Sequence, residues 1–309
     1  MESKKRSRGK ESNFVVQGSI LAIASIVVRI IGIAYRIPLI NIIGDEGMGY
    51  YGTAFNVYNI ALLLSSYSLP LAVSKMVSAR LANKQYRNAE RIFRAALGYA
   101  TLVGAITAAV IWFGADFFAS EIFFMPYAAF ALKTLAPTVW IMAYLGVFRG
   151  YFQGMHTMVP TAISQIIEQV FNAFFSVYLA WVFLSVNVPE GMTENIPLAS
   201  AGGTMGTGIG ALAGLIVVVF AYCLIRKYLL WRVRRCRQPY EESRKELILK
   251  VLQTAWPIIA GTAVFSITNL IDMGMVVNIL QSIGYTQEGA EVLYGQLSGK
   301  FVTLTTLPV

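Results

Sequence analysis

The segment VVRIIGIAYRIPLI, residues 27–40, is an apolar run that contains two arginines, Arg29 and Arg36. It lies inside a longer apolar stretch, residues 14–43, that contains no other charged residue. A helix of about 20 apolar residues is long enough to cross the roughly 30 Å hydrocarbon core of a bilayer. The stretch therefore predicts a membrane-spanning helix that carries two cations within the hydrocarbon.

The rest of the chain has the same apolar character. Its 309 residues are 56% hydrophobic and only 13% charged, whereas about 25% of the residues of a soluble domain are charged. The predicted spans are 14–43, 51–77, 95–118, 127–148, 160–184, 205–229 and 248–283, with an eighth that begins near Tyr294. The sequence therefore predicts an all-α polytopic membrane protein with about eight transmembrane helices.

Charged residues in the loops predict the orientation of the chain in the membrane. Lysines and arginines cluster in the N-terminal tail, in residues 78–94 and in residues 226–247, which share one side if every span crosses once. The loops on the other side carry acidic residues and no lysine or arginine. By the positive-inside rule we expect a multi-pass membrane protein whose N-terminus is cytoplasmic. Anionic lipids beside the basic loops account for the net charge of +9 more simply than nucleic acid does.

Two short segments of the chain resemble each other. EGMGYYG, residues 46–52, follows the first predicted span, and EGAEVLYG, residues 288–295, follows the seventh. Two six-helix bundles in parallel repeat would place them so, although chance similarity of a short turn is the alternative. The expected domains are a basic cytoplasmic tail (1–13), a complete six-helix lobe (14–230), a basic inter-lobe loop (231–247) and the first two helices of a truncated second lobe (248–309).

Arg29 and Arg36 are seven residues apart, so both point to nearly the same face of a helix, about 10.5 Å apart along its axis. An arginine at the centre of a membrane helix costs roughly 2.5 to 3.5 kcal/mol. Two interpretations remain open. The arginines either meet carboxylates or carbonyls inside the bundle, or they line a water-filled cavity and bind an anionic group such as a phosphate.

Other polar residues inside the spans are candidates for the same cavity. Thr161, Gln165, Glu168, Asn172 and Ser176 form one polar stripe on the fifth span, and a weaker stripe on the second includes Asn59. These stripes either join helices by hydrogen bonds or line a polar path. Lys133 either contributes to the cavity or reaches towards the membrane surface. Under the repeat, Asp272 falls at the level of Arg29, which predicts a gating pair between the lobes.

Motifs for catalysis are missing from the sequence. GTMGTGIGALAG, residues 203–214, opens a predicted membrane helix without a preceding strand, so it indicates close helix packing rather than a dinucleotide loop. His156 is the only histidine, and neither metal-ligand spacing nor a nucleophile with a base is present. We expect no enzyme activity, no metal and no cofactor.

Three segments resemble a known family. FRGYFQGMHTMVPTAISQIIEQ, residues 148–169, is similar to the junction of the fourth and fifth helices in the polysaccharide-exporter branch of the multidrug/oligosaccharidyl-lipid/polysaccharide (MOP) flippases, of the sporulation protein B and YtgP type. LYGQLSGKFVTLTTLP, residues 293–308, resembles the same branch, and RIIGIAYR, residues 29–36, resembles the first helix of MurJ-like lipid II flippases. The resemblance implies two six-helix lobes, often with two further helices, around a cavity that opens alternately to each membrane face.

The resemblance also implies a substrate. Members of the family move undecaprenyl-pyrophosphate-linked saccharides from the inner to the outer leaflet of the bacterial plasma membrane. The cavity arginines on the first helix of MurJ-like flippases match Arg29 and Arg36, with a spacing that departs by one residue. We expect a flippase for peptidoglycan lipid II or a polysaccharide repeat unit. The expected substrate-binding residues are Arg29, Arg36, Asn59, Lys133, Gln165, Glu168 and Asn172, with Arg29 and Asp272 as the gating pair.

Two alternatives stay open at this point. A cation-coupled multidrug antiporter of the same fold would need buried acids to outnumber buried bases. A membrane scaffold for enzymes of cell-wall or spore-wall synthesis would carry buried charge without polar stripes.

Overall fold

A computed structural model describes residues 2–186, 188, 194–235 and 243–297, with side chains from Val16 onward and only part of the side chains in 244–274. The helices are α1 (Glu2–Ala34), α2 (Arg36–Leu62), α3 (Ser68–Ala82), α4 (Tyr86–Phe117), α5 (Ala128–Gly154), α6 (Val159–Leu184), α7 (Ile196–Arg235), α8 (Arg244–Ser282) and α9 (Gln287–Gln296). Single π-helical turns, Leu63–Tyr67 and Phe118–Ile122, extend α2 and α4. Within these ranges there is no strand, and six helical segments are long and apolar enough to span a membrane. The all-α polytopic prediction is confirmed.

The first span bends where the sequence places a proline. Helix α1 ends at Ala34 and α2 begins at Arg36, because Pro38 has no N–H to donate to the carbonyl of Ala34. A second break follows at Gly44, whose φ of 67° lies in the region that favours glycine. Residues 36–43 therefore continue the first predicted span, and the second span starts directly after Gly44.

The glycine run of α7 forms the close helix contact that the sequence predicts, and the structure shows that its partner is α6. A Cβ added to Gly202 would lie 2.6 Å from the Leu179 carbonyl oxygen, and one added to Gly210 would lie 2.5 Å from that of Glu168. A Cβ on Gly206 would collide with the backbone of Ser176. Glycines at these positions let the two helix backbones approach closely, which fixes the polar stripe of α6 against α7.

One end of the bundle is rich in lysine and arginine. Ser78 Oγ lies 3.4 Å from His156 Nε2, the Met158 N–H donates to Gln17 Oε1 at 2.8 Å, and the Arg232 guanidinium lies over the Tyr86 ring. The start of the first span, the α3–α4 and α5–α6 connections and the end of α7 therefore share what we call the basic end. That this end faces the cytoplasm stays a prediction.

The opposite end, which we call the acidic end, is where α9 contacts α2. A Cβ on Gly49 would lie 2.8 Å from the Glu291 carbonyl oxygen, and one on Gly295 would collide with that of Asp45. The side chain of Asn56 donates to Tyr294 Oη at 2.7 Å. The two similar segments, residues 46–52 and 288–295, are thus packed against each other. Whether they mark two repeated lobes, with the domain boundaries given above, stays a prediction.

Candidate functional site

A cavity of about 420 Å³ lies between α1, α2, α5, α6 and α7. We call it the central cavity. Its polar lining includes residues from four helices, namely Arg29 on α1, Arg36 and Asn59 on α2, Glu168, Gln169 and Asn172 on α6, and Thr207 on α7. The remaining wall is aromatic and aliphatic, with Phe55, Tyr58 and Met142 among its residues. Five of the predicted site residues therefore meet in one cavity: Arg29, Arg36, Asn59, Glu168 and Asn172.

Both arginines reach the central cavity in spite of the break between their helices. Arg29 is exposed and Arg36 is half-buried. Gly32 lies between them, and a Cβ there would be 3.2 Å from Gln169 Nε2, so the absence of a side chain keeps α1 close to α6. Among the described side chains, no carboxylate forms an ion pair with Arg29.

Glu168 is neutralised by an arginine that sequence reasoning missed. Arg149 on α5 donates through Nη2 to Glu168 Oε2 at 2.6 Å and through Nε to Ser164 Oγ at 2.9 Å. The predicted span ended at Phe148, one residue before this arginine, whereas α5 continues to Gly154. Since the carboxylate is paired with Arg149, it is not available to offset the charge of Arg29, and the described lining of the central cavity holds more cationic than anionic side chains.

The C-terminal part of the α6 stripe, at Asn172 and Ser176, joins α6 to α7 and also borders the central cavity. Thr207 donates to Asn172 Oδ1 at 3.1 Å, and Ser176 Oγ lies 2.9 Å from the same oxygen and 2.7 Å from the Gly203 carbonyl oxygen. Asn172 is buried but still faces the cavity. Both interpretations of the stripe thus apply, Ser176 to the helix contact and Glu168 to the cavity wall.

Two predicted site residues lie elsewhere. Lys133 Nζ is 2.8 and 2.9 Å from the carboxylate oxygens of Asp116, and neither residue lines the described part of the central cavity. Gln165 is not among the described lining residues either, and its side-chain oxygen is buried without a hydrogen-bond partner in the described part of the chain. The side chain of Asp272 lies outside the described residues, so its pairing with Arg29 stays a prediction.

At the acidic end a tyrosine hydroxyl group lies between two carboxyl groups, an arrangement that sequence reasoning did not identify. Tyr50 Oη lies 2.7 Å from Glu46 Oε1 and 2.8 Å from Glu291 Oε2. A phenol has one proton, so it can donate to only one of these groups at a time, and a second hydrogen bond requires a proton on one of the carboxyl groups. Burial raises the pKa of Glu291 above the ordinary value of a glutamate, which favours that protonated form. This arrangement holds α2 and α9 together.

Metal ligands are not grouped in the part of the chain that the structure describes. No three histidine, cysteine, aspartate or glutamate side chains come together there.

The sequence of the chain is similar to that of known proteins. Residues 15–297 match the family of polysaccharide biosynthesis proteins. The chain is 28% identical to stage V sporulation protein B of Bacillus subtilis (strain 168) over 294 residues, which are 94% of this chain and 54% of that protein. It is 26% identical to the lipid II flippase MurJ of the same organism over 100 residues, 32% of this chain and 18% of MurJ.

A third relative is the uncharacterized membrane protein YabM of Bacillus subtilis, which is 26% identical over 110 residues, 35% of this chain and 20% of YabM. The chain spans about half the length of the relative that it matches over most of its own residues. The family match covers both the helices that form the central cavity and the α2–α9 contact. The chain belongs to the polysaccharide biosynthesis protein family.

Proposed function

We propose that this chain forms part of a flippase that moves an undecaprenyl-pyrophosphate-linked saccharide, either lipid II or a polysaccharide repeat unit, from the inner to the outer leaflet. The observation that carries the proposal is the meeting of Arg29 and Arg36 in one cavity whose carboxylate, Glu168, is already paired with Arg149. A pyrophosphate offers several anionic oxygens, and guanidinium groups bind such oxygens through paired N–H···O bonds.

The polar side chains of the central cavity suit the saccharide end of such a substrate. Asn59, Gln169, Asn172 and Thr207 offer both donors and acceptors next to the two arginines. A site built from a few polar groups in an otherwise apolar wall is typical of small-molecule recognition. We therefore assign the arginines to the pyrophosphate and the amide and hydroxyl groups to the saccharide.

Alternating access needs ends that close in turn. The α2–α9 contact through Tyr50, Glu291, Asn56 and Tyr294 joins the two helices at the acidic end, and we assign to it the closure of that end. In the proposed cycle this contact opens to release the substrate, and the predicted Arg29–Asp272 pair forms at a different stage. The movement involves no bond making or breaking, so the protein acts as a transporter and not as an enzyme.

Charge in the central cavity argues against a cation-coupled multidrug antiporter. Such a transporter needs an unpaired carboxylate for its cationic drug, whereas Glu168 is paired with Arg149 at 2.6 Å. The other two charged residues in the described lining of the cavity are arginines. A scaffold without transport has no use for a polar cavity of about 420 Å³. Enzymes of cell-wall synthesis are nevertheless reasonable partners of a flippase, because they supply or consume its substrate.

The test is to replace the arginines and follow the lipid-linked precursor. Arg29→Ala and Arg36→Ala should each abolish flipping, so that cells depleted of the native protein accumulate the precursor in the inner leaflet. Membrane abundance should not fall, because removing a charge from a membrane helix lowers the cost of insertion. Arg29→Lys and Arg36→Lys should restore part of the activity, since lysine keeps the charge but not the planar fork.

Arg226→Ala is the matched control, because Arg226 is an exposed arginine of α7 that does not line the described central cavity. It should leave flipping unchanged. If the Arg29 and Arg36 alanine variants are as abundant and as active as the Arg226 variant, the pyrophosphate assignment is wrong. If precursor levels do not respond to depletion of the protein at all, the flippase assignment itself is wrong.

A further inference from the structure

A second cavity lies at the basic end of the molecule and shares no described lining residue with the central cavity. It has a volume of about 450 Å³ and lies between α4, α5 and α7, with residues of α3 and α6 at its edge. We call it the basic-end pocket. Its volume falls within the range of roughly 300 to 1,000 Å³ that is typical of sites for small molecules.

The wall of the basic-end pocket is mostly apolar, and its polar groups belong to Tyr86, Tyr151, Thr157, Tyr228 and Arg232. Ala89, Phe152, Ala221, Leu224, Ile225 and Leu229 contribute to it from three helices. Water molecules against these apolar side chains would find no hydrogen-bond partners, so hydrocarbon is the better occupant of this part of the pocket. The wall fits a hydrocarbon chain.

A single charged side chain, Arg232, lines the described part of this pocket. Its guanidinium carbon lies 5.0 Å from the ring centroids of both Tyr86 and Tyr228. Contacts with aromatic rings hold a guanidinium group through its flat face, while its N–H groups point outward in the plane and remain suited to phosphate oxygens. Within the residues described, no carboxylate pairs with Arg232.

Further cations surround this arginine on the last turns of α7. Arg226, Lys227, Arg234 and Arg235 are exposed there, and Arg235 lies 4.3 Å from the ring centroid of Trp231. Tryptophan, tyrosine and arginine together are typical of the level at which lipid headgroups lie. The local charge favours a headgroup that is negative overall over a zwitterionic one.

We propose that the basic-end pocket binds one anionic phospholipid, with its phosphate on Arg232 and one acyl chain against the walls formed by α4, α5 and α7. The apolar wall explains why the ligand has a hydrocarbon chain, and the ring-held guanidinium explains why it has a phosphate. A free phosphate would leave the pocket empty, and a neutral hydrocarbon would leave the guanidinium without a counter-ion. The bound lipid joins the start of α4 to the end of α7.

The experiment measures lipid binding to the purified, delipidated protein in detergent. Phosphatidylglycerol, phosphatidylcholine and inorganic phosphate are titrated separately, and binding is followed by native mass spectrometry and by thermal unfolding. Phosphatidylglycerol should bind with one-to-one stoichiometry and raise the unfolding temperature. Phosphatidylcholine at the same concentration should bind at least about tenfold more weakly, and inorganic phosphate should produce no shift.

Arg232→Gln should weaken phosphatidylglycerol binding by about tenfold or more, which is the loss expected for one charge-assisted contact. Arg235→Gln is the matched control, because it removes a neighbouring ring-held charge that does not line the described pocket. It should change the affinity by less than about threefold. Ala221→Phe fills the pocket while Arg232 stays in place, and it should also weaken binding.

Equal losses in the two arginine variants would mean that diffuse surface charge binds the lipid, and the proposal would be wrong. It would be equally wrong if Ala221→Phe bound phosphatidylglycerol like the unmodified protein, or if inorganic phosphate gave the same thermal shift. Native mass spectrometry measures lipid binding directly for any variant that remains folded after purification. A change in the stability of a variant is therefore not mistaken for a change in its affinity.

Discussion

The ion pair between Arg149 and Glu168 allows a quantitative test of the central cavity. The two side chains are only 11% and 19% exposed, and their closest nitrogen and oxygen are 2.6 Å apart. Removing one partner of a buried ion pair leaves an uncompensated charge and costs about 3 to 5 kcal/mol. We therefore expect Arg149→Met and Glu168→Leu each to lower the free energy of unfolding by about 3 kcal/mol.

The double variant should be far more stable than the sum of these losses suggests. Hydrophobic replacement of both partners removes the desolvation cost together with the attraction, so the coupling energy from a double-mutant cycle should be about 2 kcal/mol or more. Chemical or thermal unfolding in detergent, with all four proteins in the same micelle, measures it.

Lys133 and Asp116 supply a control pair within the same chain. Their side chains are 36% and 71% exposed at an N–O distance of 2.8 Å, and exposed pairs couple by about 0 to 1 kcal/mol. From the N–O distances alone, the two pairs should have similar coupling energies, whereas the difference in burial predicts a larger coupling energy for Arg149 and Glu168. A coupling energy for Arg149 and Glu168 no greater than that for Lys133 and Asp116 would refute the reasoning and with it the neutralised state of Glu168.

Three further predictions concern other parts of the molecule. Because burial raises the pKa of Glu291, the α2–α9 contact should become more stable as the pH falls, down to a pH of about 4.3, at which an exposed glutamate is itself protonated. Hydrogen exchange in α9 should show this pH dependence, and Glu291→Gln should remove it. Gly206→Val should destabilise the protein by about 3 kcal/mol because its side chain collides with Ser176, whereas Gly98→Ala, with open space around the added Cβ, should be neutral or stabilising in the same unfolding assay. If Arg29 and Asp272 pair, the exchange Arg29→Asp with Asp272→Arg should recover transport that either single change loses, and strict additivity of the losses in a flipping assay would contradict the pairing.

The sequence is most informative where composition alone decides the structure. Apolar runs of spanning length predict the membrane helices, because hydrocarbon leaves no other way to satisfy the backbone. Pro38 lacks the backbone donor that a continuous first helix would need, and the glycine run of residues 203–214 predicts close helix packing without identifying α6 as the partner. Each of these features follows from a property of the local chain.

Helix ends are harder to predict from hydropathy. The predicted span 127–148 ends where apolar composition ends, but α5 continues to Gly154, because hydrogen bonding between backbone groups does not depend on hydropathy. A helical signal is nevertheless present: Phe148, Tyr151 and Phe152 recur at spacings of three and four residues and are all buried. That spacing predicts that the helix continues past Phe148, and therefore that Arg149 is a further charged residue on it.

Contacts between distant segments are the least predictable. The similarity of residues 46–52 and 288–295 indicates a shared role, but no feature of either segment predicts that the two are in contact. The contact depends on small residues at Gly49 and Gly295, where the helices approach most closely. Likewise, Lys133 has a partner, Asp116, that is 17 positions away in sequence and on another helix, so its place outside the central cavity follows only from the packing of α4 and α5.

The arrangement of charges explains how the first span tolerates two arginines. In hydrocarbon the pair would cost roughly 5 to 7 kcal/mol, but both side chains line a cavity of about 420 Å³ that has room for water. Pairing them with Glu168 would also remove the cost, yet Arg149 occupies that carboxylate from the neighbouring helix. Arg149 thereby leaves the described lining of the central cavity with an excess of cationic side chains, which favours the entry of an anionic headgroup. By this reasoning Arg149→Met should weaken substrate binding without touching the substrate, because Glu168 then adds an uncompensated negative charge to the cavity that Arg29 and Arg36 also line. Arg149→Met combined with Glu168→Gln should restore binding, and flipping measured with both variants separates this electrostatic effect from a simple loss of folding.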